Sequence, residues 1–82
     1  MNSAKKEQFL TLMRLTVKET YRDGWARDTD KLNRFMSAVE QTITKGNKTW
    51  TPDGAAYTIV CKKLGFDNAV PLKGLLIWLN KA

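Results

Sequence analysis

The stretch Thr49–Lys81, TWTPDGAAYTIVCKKLGFDNAVPLKGLLIWLNK, limits the fold more than any other part of the chain. It holds two apolar segments separated by Gly65 and the polar pair Asp67-Asn68. Thr51-Pro52-Asp53 opens the first. A hydroxyl caps a helix, Pro fits the first position where no N–H is needed, and a carboxylate offsets the positive end of the helix dipole. A helix over residues 52–64 is therefore predicted, burying Ala55, Ala56, Ile59, Val60 and Leu64, with Gly54 and the alanines letting a neighbour approach closely. Cys61 fits as a small core residue. Gly65 ends this helix, Phe66 packs back on it, and Asp67 or Asn68 can cap a further helix over 69–80 with Pro71 in its first turn. There Leu72, Leu75, Leu76 and Leu79 share a face with Trp78 at its margin, while Ile77 points away between Lys73 and Lys81. Two helices this apolar need cover, and the preceding residues must supply it.

Those residues predict two more helices. Over 3–22, Phe9, Leu12, Met13, Thr16, Val17 and Thr20 or Tyr21 fall on one side of a 3.6-residue spiral, with Ser3 as a candidate cap. Leu10 and Leu15 lie off that stripe, so this helix must be covered on two sides or pair with another chain. Asp23-Gly24 should close it, glycine taking the left-handed conformation of a helix end. Trp25, in the connector, fits as an anchor over the core edge. Over 29–45, Leu32, Phe35, Met36, Val39 and Ile43 form the cleanest stripe in the chain, started by Asp28, Thr29 or Asp30 and stopped by Gly46. Trp50, in the polar turn after it, either fills a gap between helices or offers a stacking surface to a base. The expected fold is all-α, a bundle of about four helices in one domain, since 82 residues bury only about 60 to 65% of their unfolded surface.

The charge is lopsided. Fourteen Lys and Arg face eight Asp and Glu, and the absence of His keeps the net +6 nearly constant around neutrality. Such a balance favours a polyanionic partner, or simply a soluble basic surface. Arg14, Lys18 and Arg22 recur at i, i+4 and i+8, opposite the apolar stripe of the first helix. Like charges at that spacing repel by a few tenths of a kcal/mol each, so the ridge is either well solvated or a seat for anions. Lys31, Arg34 and Lys45 likewise face away from the stripe of the second. The single Cys61 excludes an internal disulfide, and without His there is no His-containing zinc site and no Cys/His nucleophile pair. No apolar run approaches the roughly 20 residues of a membrane span, and MNSAKKEQF does not lead into a signal-peptide core. A cytoplasmic protein without cofactor or metal is expected.

Val60, Cys61, Leu64, Gly65 and Phe66 match the front half of a DNA-binding helix-turn-helix, which needs a small residue, a Gly four positions on and apolar flanks. The back half is out of register. Its buried positions would fall on Pro71 and Gly74, whereas the apolar residues are Val70, Leu72, Leu75 and Leu76. Base-reading side chains are also few, Asn68 and Lys73 being the candidates. A helix-turn-helix-like hairpin within the bundle is the expectation. The order of a short Gly-Ala helix, the segment CKKLGF, a turn and an apolar terminal helix, over about Thr51 to Leu79, resembles the C-terminal part of small uncharacterised proteins of phages and other mobile elements. The resemblance implies an accessory role in regulation or in interference with a host system, and it assigns no site residues.

Catalysis is not expected, because the acids are scattered and Gly46, Gly54, Gly65 and Gly74 form no phosphate loop. The first functional expectation is a nucleic-acid-associated module in which Arg14, Lys18, Arg22, Lys31, Arg34, Lys48, Lys62, Lys63 and Lys73 meet phosphates, with Asn68 and Lys73 nearest to bases, and double-stranded DNA as the partner. The second is a protein-interaction or inhibitor domain acting on a host protein, with a homodimer allowed, using Leu15, Ile77 and Trp78.

Overall fold

The computed structural model describes all residues, Met1–Ala82, and contains four α-helices and no strand. These are α1 (Ser3–Thr20), α2 (Thr29–Lys45), α3 (Gly54–Lys63) and α4 (Leu72–Asn80), with a short 3₁₀ turn at Trp25–Arg27. The protein is an all-α bundle.

α1 turns Phe9, Met13, Thr16 and Val17 inward, as its stripe predicts. Its most extensive packing is on α3. The flank carrying Leu10 lies against α2, so two neighbours cover this broad apolar surface, and Leu15 is left 59% exposed. The Lys6–Glu40 ion pair (3.1 Å) and the hydrogen bond from Arg14 to Asn33 (2.9 Å) run in opposite chain order, which makes α1 and α2 antiparallel. The cap of α1 is Asn2 rather than Ser3: its side chain accepts from the Lys5 amide at 3.1 Å. α1 also stops at Thr20, two residues short of the predicted end, and Gly24 does not take the left-handed conformation (φ −120°). A turn closed by the Gly24 N–H on the Tyr21 carbonyl (2.9 Å) leads directly into the 3₁₀ turn, which lets Trp25 stack on Tyr21.

α2 keeps its predicted bounds. Asp28 caps it by accepting from the Asp30 and Lys31 amides, and Gly46 closes it at φ +72°. Leu32, Val39, Thr42 and Ile43 are buried, with Phe35 and Met36 partly so. The following loop is pinned by Thr42, whose hydroxyl donates to the Ala38 carbonyl (2.9 Å) and accepts from the Trp50 amide (3.2 Å). Trp50 is thereby held in the core, in contact with Phe9 and edge-on to Tyr57. Of its two readings, gap filling describes it.

α3 begins at Gly54, not Pro52. Burial of Trp50 pulls the preceding loop inward. Asp53 is extended, its amide bonded back to the Thr51 carbonyl (2.8 Å), and the chain enters the helix through Gly54 at φ +93°, a conformation that strains any residue with a Cβ. The inward face is correspondingly rotated: Ala56, Tyr57, Val60 and Cys61 are buried, whereas Ala55 and Ile59 are exposed and Leu64 is half-buried. The end of α3 is as predicted. Gly65 (φ +101°) donates to the Lys62 carbonyl and Phe66 to that of Cys61, the paired bonds of a Schellman closure, and Phe66 then packs against Trp78.

α4 starts at Leu72, three residues later than predicted, with Pro71 extended before it and no side-chain cap. The residue preceding a proline is pushed away from helical geometry, and the Val70 carbonyl is held by the Tyr57 hydroxyl at 2.6 Å. Leu75 and Leu79 complete the core. The far end is tied to the N-terminus: the Asn2 amide donates to Leu79 (2.8 Å), its side chain to Lys81 (3.1 Å), and Lys5 lies 5.0 Å over the Trp78 ring. Residues 64–71 separate α3 from α4. This connection is longer than the three or four residues of the DNA-binding turn, so the hairpin lacks that motif's tight corner.

Candidate nucleic-acid interface

Most of the cations reach solvent. Lys18, Arg22, Lys31, Arg34, Lys48, Lys62, Lys63 and Lys73 are all exposed. The Lys6–Glu40 bond between α1 and α2 is the one ion pair in the molecule, so thirteen of the fourteen Lys and Arg side chains have no carboxylate within reach. Asp28 spends its carboxylate on the cap of α2, and Glu40 is taken by Lys6. Lys18, Lys45, Lys62 and Lys63 stand in the last turns of their helices, where the negative dipole end favours them, so part of the charge also serves the helices.

The predicted ridge on α1 is divided. Arg14 is half-buried at the α1–α2 seam with its guanidinium committed to Asn33, Lys18 is exposed in the last turn, and Arg22 lies beyond the helix, in the turn that follows it. Asn68 does not sit on a recognition helix at all. It is exposed within the connection before α4, while Lys73 occupies the first turn of that helix. Beyond Lys73 the helix offers few polar groups, and the Asn80 amide is bonded to the Leu76 carbonyl (2.7 Å). Nothing on α4 resembles a row of base-reading side chains.

Of the residues expected at a protein interface, Leu15 and Ile77 are open, at 59% and 54% exposure. Trp78 is half-buried between Lys5 and Phe66 and belongs to the join of the two termini. Ile77 lies in a shallow groove of about 580 Å³ with Leu72, Leu76, Lys73, Asn80 and Lys81.

One arrangement escaped the sequence reading. Tyr21 stacks on Trp25 with centroids 5.4 Å apart, and Trp25 meets Phe35 at 5.1 Å. Together with Trp50, Gly54 and Asp53 these rings line a cleft of about 380 Å³ between α1, α2 and the loop before α3. Tyr21 and Trp25 fall at i, i+4, but the helix ends at Thr20, before both, and Phe35 comes from another helix. No periodicity marks such a group. Elsewhere no three His, Cys, Asp or Glu side chains gather in a cluster able to hold a metal. No helix is long and apolar enough to cross a membrane.

Compared with the models of known protein families, with characterised proteins and with solved structures, the chain finds no match.

Proposed function

We propose that the protein is a nucleic-acid-associated binding module, without catalysis, that engages phosphates through its exposed cations. The supporting observation is that only Lys6, of fourteen Lys and Arg, has a carboxylate within 4 Å. An unneutralised surface of this kind attracts a polyanion and displaces its counterions. Affinity then comes from phosphate contacts. The apolar character of α4 argues against sequence reading in a major groove. A regulatory accessory role, of the kind implied by the resemblance to mobile-element proteins, is compatible with such binding.

The test is anisotropy of a labelled DNA duplex titrated at several salt concentrations. Binding should weaken by orders of magnitude between about 50 and 200 mM salt if six or more phosphates are engaged. Lys18→Glu with Arg22→Glu, both solvent-exposed, should weaken binding and flatten the salt slope by roughly one unit per lost contact, while leaving the melting temperature within a few degrees. The earlier candidate Arg14 is a poorer probe because it also joins α1 to α2. No binding at about 50 mM salt removes duplex DNA as the partner.

A second reading, a protein partner docking on α4, is favoured by the groove around Ile77. Ile77→Lys should then abolish a complex that survives high salt, and a complex untouched by it rules that surface out.

A further inference from the structure

We propose that the aromatic cleft between α1, α2 and the loop before α3 takes up one unpaired nucleobase, from a strand whose phosphates rest on the cations around its mouth. This deepens, and rests on, the nucleic-acid reading above.

The walls suit a flat heterocycle. Tyr21, Trp25 and Phe35 present three rings around a volume of about 380 Å³, which the core residue Trp50 also lines, within the range of roughly 300 to 1,000 Å³ usual for small-ligand sites. Every base has a π-face that such rings accept. Gly54, in its left-handed conformation, forms part of the wall without a side chain. A Cβ there would stand 3.6 Å from the Tyr21 hydroxyl.

The rings are also incompletely used by the fold. Tyr21 and Trp25 pack against the core but keep part of their surface open to solvent, although a chain of this size gains by burying aromatic surface. The Tyr21 hydroxyl and the indole N–H groups of Trp25 and Trp50 make no hydrogen bond within the chain. Thr16 Oγ1 is nevertheless the only buried side-chain polar atom without a partner, so these three groups open to solvent.

Charge decides between guests. Arg22 follows Tyr21 directly, Lys48 precedes Thr49 of the lining, and on α2 Lys31 and Arg34 stand one turn before Phe35 and Ala38, while the acids beside Tyr21 are Glu19 and Asp23. All four cations are exposed. An alkylammonium ion, which aromatic walls also attract, is disfavoured by surroundings in which these four cations outnumber Glu19 and Asp23. Inside, the one acid of the lining is Asp53, whose side chain makes no capping hydrogen bond. Its carboxylate accepts from the N–H edge of a base and repels a phosphate. The base belongs within and the phosphates outside. A duplex keeps its bases stacked and paired, so the ligand is single-stranded.

The experiment compares a short single-stranded oligonucleotide with an abasic oligomer carrying the same number of phosphates, following anisotropy and tryptophan fluorescence across a salt series. The nucleotide strand should bind about tenfold or more tightly and quench the indole emission, with similar salt slopes for both. Trp25→Ala should erase that difference and keep the slope, whereas Trp78→Phe, at the opposite join of the termini, should leave both unchanged. Equal affinity for the two oligomers without quenching overturns the base pocket and leaves phosphate binding standing. Failure of both to bind at low salt overturns the two together. The abasic comparison needs no variant, so it decides the matter even if Trp25→Ala does not fold.

Discussion

Tyr57 is the largest fully buried side chain of the core, and its one polar atom is placed where the chain between α3 and α4 needs an anchor. Its hydroxyl donates to the Val70 carbonyl at 2.6 Å, holding the chain just before the extended Pro71. Tyr57→Phe keeps the ring and leaves that carbonyl unpaired, so it should cost about 1 to 2 kcal/mol in urea unfolding. Burial, with the neighbouring Cys61 thiol adding to it, pushes the phenol well above its ordinary value. Below pH about 10 the hydroxyl is protonated in both folded and unfolded chains, and its contribution is complete. Above that, the unfolded phenol ionises while the folded one does not. Stability should therefore fall by up to about 1.4 kcal/mol per pH unit from this group, and the gap between wild type and Tyr57→Phe should narrow as pH rises. A gap that stays constant to pH 11 would show that Tyr57 ionises freely in the fold. None of this was visible in sequence. Tyr57 lies one position off the predicted stripe of α3, and its distant partners Trp50 and Val70 accompany the turn of the helix that brings it inward.

At the scale of elements, the helices differ in how much of their structure is local. α2 carries its own cap, stripe and stop signal, so its bounds were legible from Asp28 to Gly46. The Gly65-Phe66 closure of α3 was equally local. The starts of α3 and α4 were not, because Trp50 and Val70 are held by Thr42 and Tyr57, residues well removed in sequence. α4 is the shortest helix, has no capping side chain, and relies on the opposite end of the chain. Asn2 both caps α1 and bonds the Lys81 carbonyl. Asn2→Ala should cost about 1 kcal/mol and increase amide exchange at the end of α4 as well as the start of α1. Asn2→Asp, which retains the acceptor and loses the donor, should restore α1 but not α4. Restoration of both by Asp would mean that the cap alone matters.

For the molecule as a whole, charge acts over distances comparable to its own size. Its axes measure 36 × 26 × 20 Å, and at about 10 mM salt the screening length is roughly 30 Å, so every cation feels the others. At 150 mM it shrinks to about 8 Å. With a single ion pair to lose and a net +6 to screen, the melting temperature should rise with sodium chloride over this range. A fall would mean that attractive pairs outweigh the repulsion. The same unneutralised charge underlies the proposed phosphate binding, and its total was countable in the sequence. The sequence by itself determined what depends on neighbours along the chain: four helices with their 3.6-residue stripes, the glycine stops after α2 and α3, the single buried thiol and the excess of positive charge. Tertiary structure decided what depends on which surfaces meet. It divided the Arg14–Lys18–Arg22 ridge, withdrew Trp78 into the join of the termini, rotated α3 toward Tyr57 and gathered Tyr21, Trp25 and Phe35 around one cleft. Periodicity fixes a residue's direction from its own helix axis, and only packing fixes what stands opposite.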